Sequence, residues 1–351
     1  MVSSDTSQRI RGSRRPISRR NLIRGIAAGT AFSLIPGSAW ANGKGNGGKG
    51  GNGGGHDDLV NAEFTDHGAI IATDDDFVIS GQEVVVDGSR GSPIISNQGY
   101  SGEIYDNTLT VESIDGTTFG VRVDGGDVDV YNNTVEAADS LGGQFIAIGF
   151  VGGATGKASR NEITGKHRVG ILADDPNTDV NILRNFIEGP GPTTAGWADN
   201  GIQISRGATA TVRRNTVAEH WWDNDDWESS GIIVFGSSNT TIQRNTLMNN
   251  DAGVALFGGF GEEAGDENNI IHNTIEVTRE SEVYHEGVFV MGQNNGVRQN
   301  AITAENGDVG IFVQGSAENT KLIKNSISGW ETAIADGGED TKLPKPFEPD
   351  N

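Results

Sequence analysis

The chain has 351 residues, 52 of them Gly and none Cys, with 26 Lys and Arg against 48 Asp and Glu and a formal charge of −22. Without Cys there is neither a disulfide framework nor a thiolate metal centre. The carboxylate excess argues against nucleic acid as a partner and fits a protein of high-salt surroundings, where screening removes self-repulsion.

Residues 1–41 differ in kind from the rest, carrying Arg9, Arg11, Arg14, Arg15, Arg19, Arg20 and Arg24 with the single acid Asp5. An apolar run over 22–35 and the small-residue site "AWA" at 39–41 follow. A basic start, a short apolar run and an A-x-A end make a cleaved secretory signal, since the run is well short of the ~20 residues that span a membrane. The segment "SRRNLIR" (18–24) resembles the twin-arginine export motif, so export is expected, with no membrane span in the mature chain. Residues 42–56, opening "NGKGNGGKGGNGGG", read as a flexible linker.

From 57 to 340 the chain repeats itself. The pattern apolar-x-x-Asn-x-apolar recurs from "IYDNTL" through "VRRNTV" to "LIKNSI", anchored at Asn107, Asn133, Asn161, Asn185, Asn215, Asn245, Asn273, Asn300 and Asn325. Successive anchors lie 24 to 30 residues apart. A second motif, Gly-apolar-x-apolar, falls between them, as "GILA" at 170, "GIQI" at 201, "GIIV" at 231, "GVAL" at 253 and "GVFV" at 287. Short alternating β-branched runs broken by Gly, Asn and Asp are strand patterning, with no helical stripe. One unit cannot bury its apolar face alone, whereas stacked units can.

This pattern resembles the right-handed parallel β-helix of the pectate-lyase-like superfamily, and the resemblance implies an all-β solenoid of about nine to eleven coils. The anchor Asn tolerates the left-handed turn conformation, and its amide both donates and accepts, so a ladder of stacked amides is expected. The open ends need caps. Residues 57–80 are expected to close the start, and the Pro-rich 341–351 to lie back over the last coils. The outward position of the Gly motif turns apolar at Ile233, Ala255, Phe289 and Phe312, which calls for a cover.

Insertions stand out against so regular a repeat. From anchor to next Gly motif the gap is 8 to 10 residues after Asn161, Asn245 and Asn300, but 16 after Asn185 and Asn215 and 14 after Asn273. These long turns, 189–200, 219–230 and 276–286, leave the same corner and should form one wall. They supply Trp197, Asp199, His220, Trp221, Trp222, Asp223, Trp227, Glu228, Tyr284, His285 and Glu286 as candidate substrate-binding residues. Aromatic faces with flanking carboxylates suit a sugar ring, and Asp225 and Asp226 add a carboxylate pair for acid–base hydrolysis. The run "DNDDWE" also offers oxygen ligands to Ca²⁺, though without the Gly of an EF-hand loop.

Two further features compete for the chemistry. "GKHRVGILADDPN" (165–177) places Lys166, His167 and Arg168 near Asp174 and Asp175, with Arg206 one coil on. Proton abstraction beside a uronate carboxylate needs such a base and a cation to neutralise charge. Arg160, Arg184, Arg214 and Arg244 immediately precede four successive anchors, a stripe that either tracks an anionic polymer or pairs with surface acids. The family includes polysaccharide lyases, polygalacturonases, epimerases and non-catalytic adhesins, and fold alone does not choose among them. The Gly-His-Gly of polygalacturonases is missing. The expectation is therefore a secreted protein that binds polysaccharide, an anionic one included, and acts on it as a lyase or glycoside hydrolase. The alternative is a non-catalytic surface protein using the rod as spacer or adhesin.

Overall fold

The computed structural model describes residues 58–87, 93–114, 116–193, 198–222, 228–259, 261–279 and 284–343. The signal, the linker and most of the C-terminal tail read from the sequence lie outside the described residues.

Each coil lays down three strands in turn, one for each face of a right-handed parallel β-helix, and the described residues contain no helix. On the first face Asp127–Tyr131, Thr155–Ser159, Asp179–Leu183 and Thr209–Arg213 stack in parallel register. On the second, Glu162–Gly165, Phe186–Thr193 and Thr216–Trp222 follow the anchors. On the third, Val169–Asp174, Asn200–Ser205, Ser230–Phe235, Ala252–Phe257 and Glu286–Val290 carry the Gly motif. Alternation decides what goes inside. Ile182, Val212 and Ile242 stack coil on coil with no exposed surface, as do Ile171, Ile202 and Ile232. Each such side chain contributes roughly 1.5–3 kcal/mol by leaving water. At the N-terminal end the pairing reverses. Leu59–Val60 runs antiparallel to Phe77–Ser80, and Ala62–Phe64 to Ile70–Ala72, which closes that edge.

The anchors form the expected ladder. The Asn215 side chain accepts at Oδ1 from the backbone N–H and the amide of Asn185, both at 2.9 Å. Its own Nδ2 donates to the Ile182 carbonyl and to Asn245 Oδ1, both at 3.0 Å. The left-handed conformation, however, belongs to the residue before each anchor. Arg160, Arg184, Arg214, Arg244 and His272 have φ between 55° and 59°. The anchor's side chain is thereby turned inward, so its value lies in the amide and not in tolerance of positive φ.

The described parts of the first two long turns leave one corner and stack. Beyond a register shift, Gly191 pairs with His220, Pro192 with Trp221 and Thr193 with Trp222, extending the second face outward. The apolar column outside the third face is buried at Ile233, Ala255 and Phe289 and half-buried at Phe312. Rings of Phe235, Phe257, Phe289 and Phe312 follow one another at 5.5–6.3 Å between centroids.

Candidate functional site

The corner between the second and third faces is where the chemistry gathers. Val169 pairs with Asn200 and Asn200 with Ser230, which sets Arg168 beside Asp199 on the neighbouring coil. A cavity of about 240 Å³ opens here, lined among others by Thr117, Gln144, Lys166, His167, Arg168 and Asp199. It is a little smaller than the ~300–1,000 Å³ of drug-sized sites and suits one small unit.

Burial sets the electrostatics of this cavity. Asp199 is 3% exposed, and its Oδ2 has no hydrogen-bond partner. Burial raises its carboxyl from 3.8 to about 7, against the opposing pull of Arg168 and Lys166. Burial lowers the Arg168 guanidinium to about 10, with Asp199 opposing, and its Nη1 donates to the Ala198 carbonyl at 2.6 Å. Burial also lowers His167 to about 4. The cavity therefore sets a buried guanidinium and a Lys beside an imidazole that burial keeps neutral at neutral pH and a carboxyl that changes charge near neutral pH.

His167 belongs to a hydrogen-bonded chain whose proton positions follow from geometry. Asn250 is oriented by backbone groups, because its Nδ2 donates to the Val217 carbonyl and its Oδ1 accepts from the His220 N–H, both at 3.1 Å. His220 Nδ1 lies 3.2 Å from the same Oδ1 and must donate. Its Nε2 is then an acceptor, so the 2.9 Å contact with His167 Nε2 takes its proton from His167. The His167 Nδ1 is buried near the Gly165 carbonyl, which favours the charged ring against the effect of burial. Burial, and then His167 itself, hold His220 well below its ordinary value.

Further along the same corner lies a second group. Asp251 is fully buried, accepts from the backbone N–H of Trp222 at 2.6 Å and of Ser229 at 3.0 Å, and pairs with Arg279 at 2.6 Å. His285 Nδ1 approaches Asp251 at 3.7 Å. Burial raises Asp251 to about 6. Glu286 is fully buried with both carboxylate oxygens outside hydrogen-bond geometry, and Oε2 of Glu228 is likewise unpartnered. Burial drives both well upward. For Glu228 the nearby Glu286, Asp251 and Asp308 add to the effect; for Glu286 Asp308 adds and Tyr284 opposes. Tyr284 is itself raised, first by burial and then by Glu286 and Glu228. The Trp221 ring is covered by the Arg279 guanidinium at 3.8 Å, and Trp222 is 3% exposed.

Asp174, Asp175 and Arg206 sit elsewhere. Asp174 ends the strand Val169–Asp174, at the far side of the third face from the cavity. It pairs with Arg206 and accepts from Ser205 Oγ at 2.8 Å, with Asp175 3.8 Å from the same guanidinium. Burial, opposed by Arg206, raises Asp174 to about 6. This reads as an ion pair between coils. The sequence candidates thus divide between His167 and Asp199 at the cavity, with His220 bonded to His167, Glu228, Tyr284, His285 and Glu286 further along the corner, and the Asp174 group at the opposite end. Trp197, Asp223, Asp225, Asp226 and Trp227 lie outside the described residues, and with them most of the Ca²⁺ run. Among the described residues no three His, Cys, Asp or Glu are placed to hold a metal ion, and no helix is long and apolar enough to cross a membrane.

Gln144, Asn250, Asp251, Arg279 and Asp308 escaped the sequence reading. A signal for some of them exists. Units aligned on the Gly motif, rather than on Asn, put Arg168, Asp199, Ser229, Asp251, His285 and Asp308 two residues before each Gly, a column of mostly ionisable side chains at one corner.

These features define a right-handed parallel β-helix with a polar corner on its flank. The chain matches the family described as a right handed beta helix region over residues 146–327, more than half its length, and belongs to that family. No curated protein sequence matches it. Among solved structures it is similar to the Dettilon tailspike protein, at 14% identity and a TM-score of 0.46, over 74% of this chain and 58% of the tailspike, less than two thirds of that protein. It is also similar to the A-module of the Azotobacter vinelandii mannuronan C-5 epimerase AlgE6, at 15% identity and 0.40, covering 79% and 83% of the two chains. The periplasmic alginate epimerase AlgG matches at 10% identity and 0.32, over 80% of each. None of these likenesses transfers a residue role.

Proposed function

We propose that the corner cavity binds one unit of an anionic polysaccharide and removes the proton next to its carboxylate. The observation that carries this is the meeting of Lys166, Arg168, His167 and Asp199, from adjacent coils, around a single cavity. A hydrogen beside a carboxylate is hard to remove because the resulting charge adds to one already present. Two cations at the carboxylate lower that cost. Asp199, poised at about 7, and the neutral His167 are the groups that take and return a proton near neutral pH.

Once the C–H bond breaks, its electron pair has two outlets. It expels the glycosidic oxygen on the neighbouring carbon, which leaves with a proton from an acid and creates a C=C bond. Otherwise the carbon is reprotonated from the other side, which inverts it without cleavage. Export through the twin-arginine segment would place the enzyme with extracellular polymer, and replacing Arg19 and Arg20 by Lys should hold the chain in the cell. The functional test is a panel of uronate and neutral polysaccharides in high salt, with and without Ca²⁺, followed by ultraviolet absorbance and by reducing ends. Absorbance on uronates, lost in Lys166→Ala, is expected if elimination is the outcome. Reducing ends without absorbance would mean hydrolysis and overturn the proposal. Binding with no change to the polymer at all would favour a non-catalytic rod.

A further inference from the structure

The Arg stripe is not used by this site. It runs along the corner between the first and second faces, about 20 Å from the cavity by the length of the intervening strand. The backbone N–H of Arg160 bonds to the Leu183 carbonyl, Arg184 to Arg213, Arg214 to Gln243 and Arg244 to Ile271, which holds the four in line from coil to coil. Strand stacking spaces them by about 4.8 Å. All four are exposed, and among the described residues none is in an ion pair.

Two physical terms disfavour this arrangement. Like charges at coil spacing repel one another. Each Arg also occupies a position with φ of 55° to 59°, where Asn is more at ease. Asn132 fills the same place, at φ 55°, one coil before Arg160. Nor do the neighbours compensate. In the flanking columns, Ser159, Leu183, Arg213 and Gln243 lie on one side and Glu162, Phe186, Thr216 and Thr246 on the other. That is five guanidiniums against one carboxylate, in a chain of net charge −22.

The geometry points to a docking strip for a linear polyanion lying parallel to the rod axis, with carboxylates of successive sugar units meeting successive guanidiniums. It rests on the proposed function only in naming a polyuronate as the polymer. Guanidinium recognises a carboxylate through two parallel hydrogen bonds, which screening by salt weakens less than a long-range attraction. The acidic remainder of the surface turns away a charged chain that lies anywhere else.

The test replaces all four by Asn (R160N, R184N, R214N, R244N) in the full chain, a change the backbone conformation favours, so the fold should be kept and circular dichroism verifies it. Affinity for a long polyuronate and for an oligomer too short to reach both corners is measured at two salt concentrations, beside turnover of the short oligomer. The strip is expected to contribute at least about fourfold in long-chain affinity, each exposed pair adding a factor of roughly 1.4 to five. Short-oligomer turnover should be unchanged. Equal long-chain affinity for variant and parent would overturn the strip, as would single-stranded DNA binding the parent as tightly as the polyuronate. Asp199→Asn separates the two ideas, since it should abolish turnover and keep long-chain binding. Turnover surviving Asp199→Asn would defeat the active-site reading and leave the strip standing.

Discussion

Asp199→Asn gives the sharpest test of the cavity because it should lower activity and raise stability together. Asp199 is raised from 3.8 to about 7 in the folded protein. A folded value above the unfolded one means the protonated form suits the fold. Stability from this group is full below about pH 4 and is lost as pH rises through about 7. At about 1.4 kcal/mol per pH unit, the ionised carboxylate costs the folded state about 4 kcal/mol at pH 8. The attraction of Arg168 and Lys166 is already included in that figure. Asn carries no charge, and Oδ2 of Asp199 has no hydrogen bond to lose. An unpaired amide donor costs ~1–3 kcal/mol in its place. The net expectation is a gain of about 1–3 kcal/mol at pH 8 that turns into a loss of about 1–3 kcal/mol at pH 4. Urea midpoints read by tryptophan fluorescence, in constant high salt from pH 4 to 9, measure this. Asp174 and Asp251 titrate alike in both proteins and cancel in the difference. A variant with the parent's pH dependence, or one less stable at pH 8, would refute the reasoning.

Other expectations follow from the same structure. Asn215→Ala orphans the Asn185 N–H and the Ile182 carbonyl, both buried, and should cost ~2–6 kcal/mol at ~1–3 for each group. Asn325→Ala removes the partners of the Asn300 N–H and the Val297 carbonyl in the same way at the half-buried end of the ladder and should cost less, because water reaches that end, and a parental urea midpoint for Asn215→Ala would count against the ladder. Arg206→Ala leaves the buried Asp174 carboxylate without its cation and should lower stability by about 3–5 kcal/mol, with turnover of the folded fraction within about twofold of the parent. Loss of turnover at unchanged stability would move the active centre to that end of the strand. Nitrogen NMR of the imidazoles should find the His167 proton on Nε2 and the His220 proton on Nδ1. A proton on His167 Nδ1 would contradict the assignment through Asn250.

The coil was legible because its turn geometry is repeated in sequence. Each anchor Asn needs its amide at the same place in every coil, so the spacing betrays the stack. What the Asn pattern hid was the residue before it, where the left-handed conformation sits, since Arg160 or Arg184 carries no propensity signal for positive φ. The corner chemistry was half legible. Lys166, His167, Arg168 and Asp199 could be picked out, but Asn250, Asp251 and Arg279 come together only through the stacking of turns far apart in sequence. Sequence proximity also misled. Asp174 is seven residues from His167, yet the intervening strand runs the width of a face, about 3.3 Å per residue. The tryptophans read as a sugar platform because composition does not say what covers a ring. Arg279 covers Trp221, a contact no local pattern announces.

The central claim is that this corner breaks a C–H bond beside a carboxylate. Incubation of the protein with a polyuronate in deuterated water tests it whichever way the reaction ends, because both outlets begin with loss of that hydrogen. Proton NMR of the polymer should show the signal beside the carboxylate disappear, through exchange for deuterium or through formation of a C=C bond, and Asp199→Asn should abolish the change. Retention of that hydrogen in a polymer that the protein binds or shortens would contradict the account.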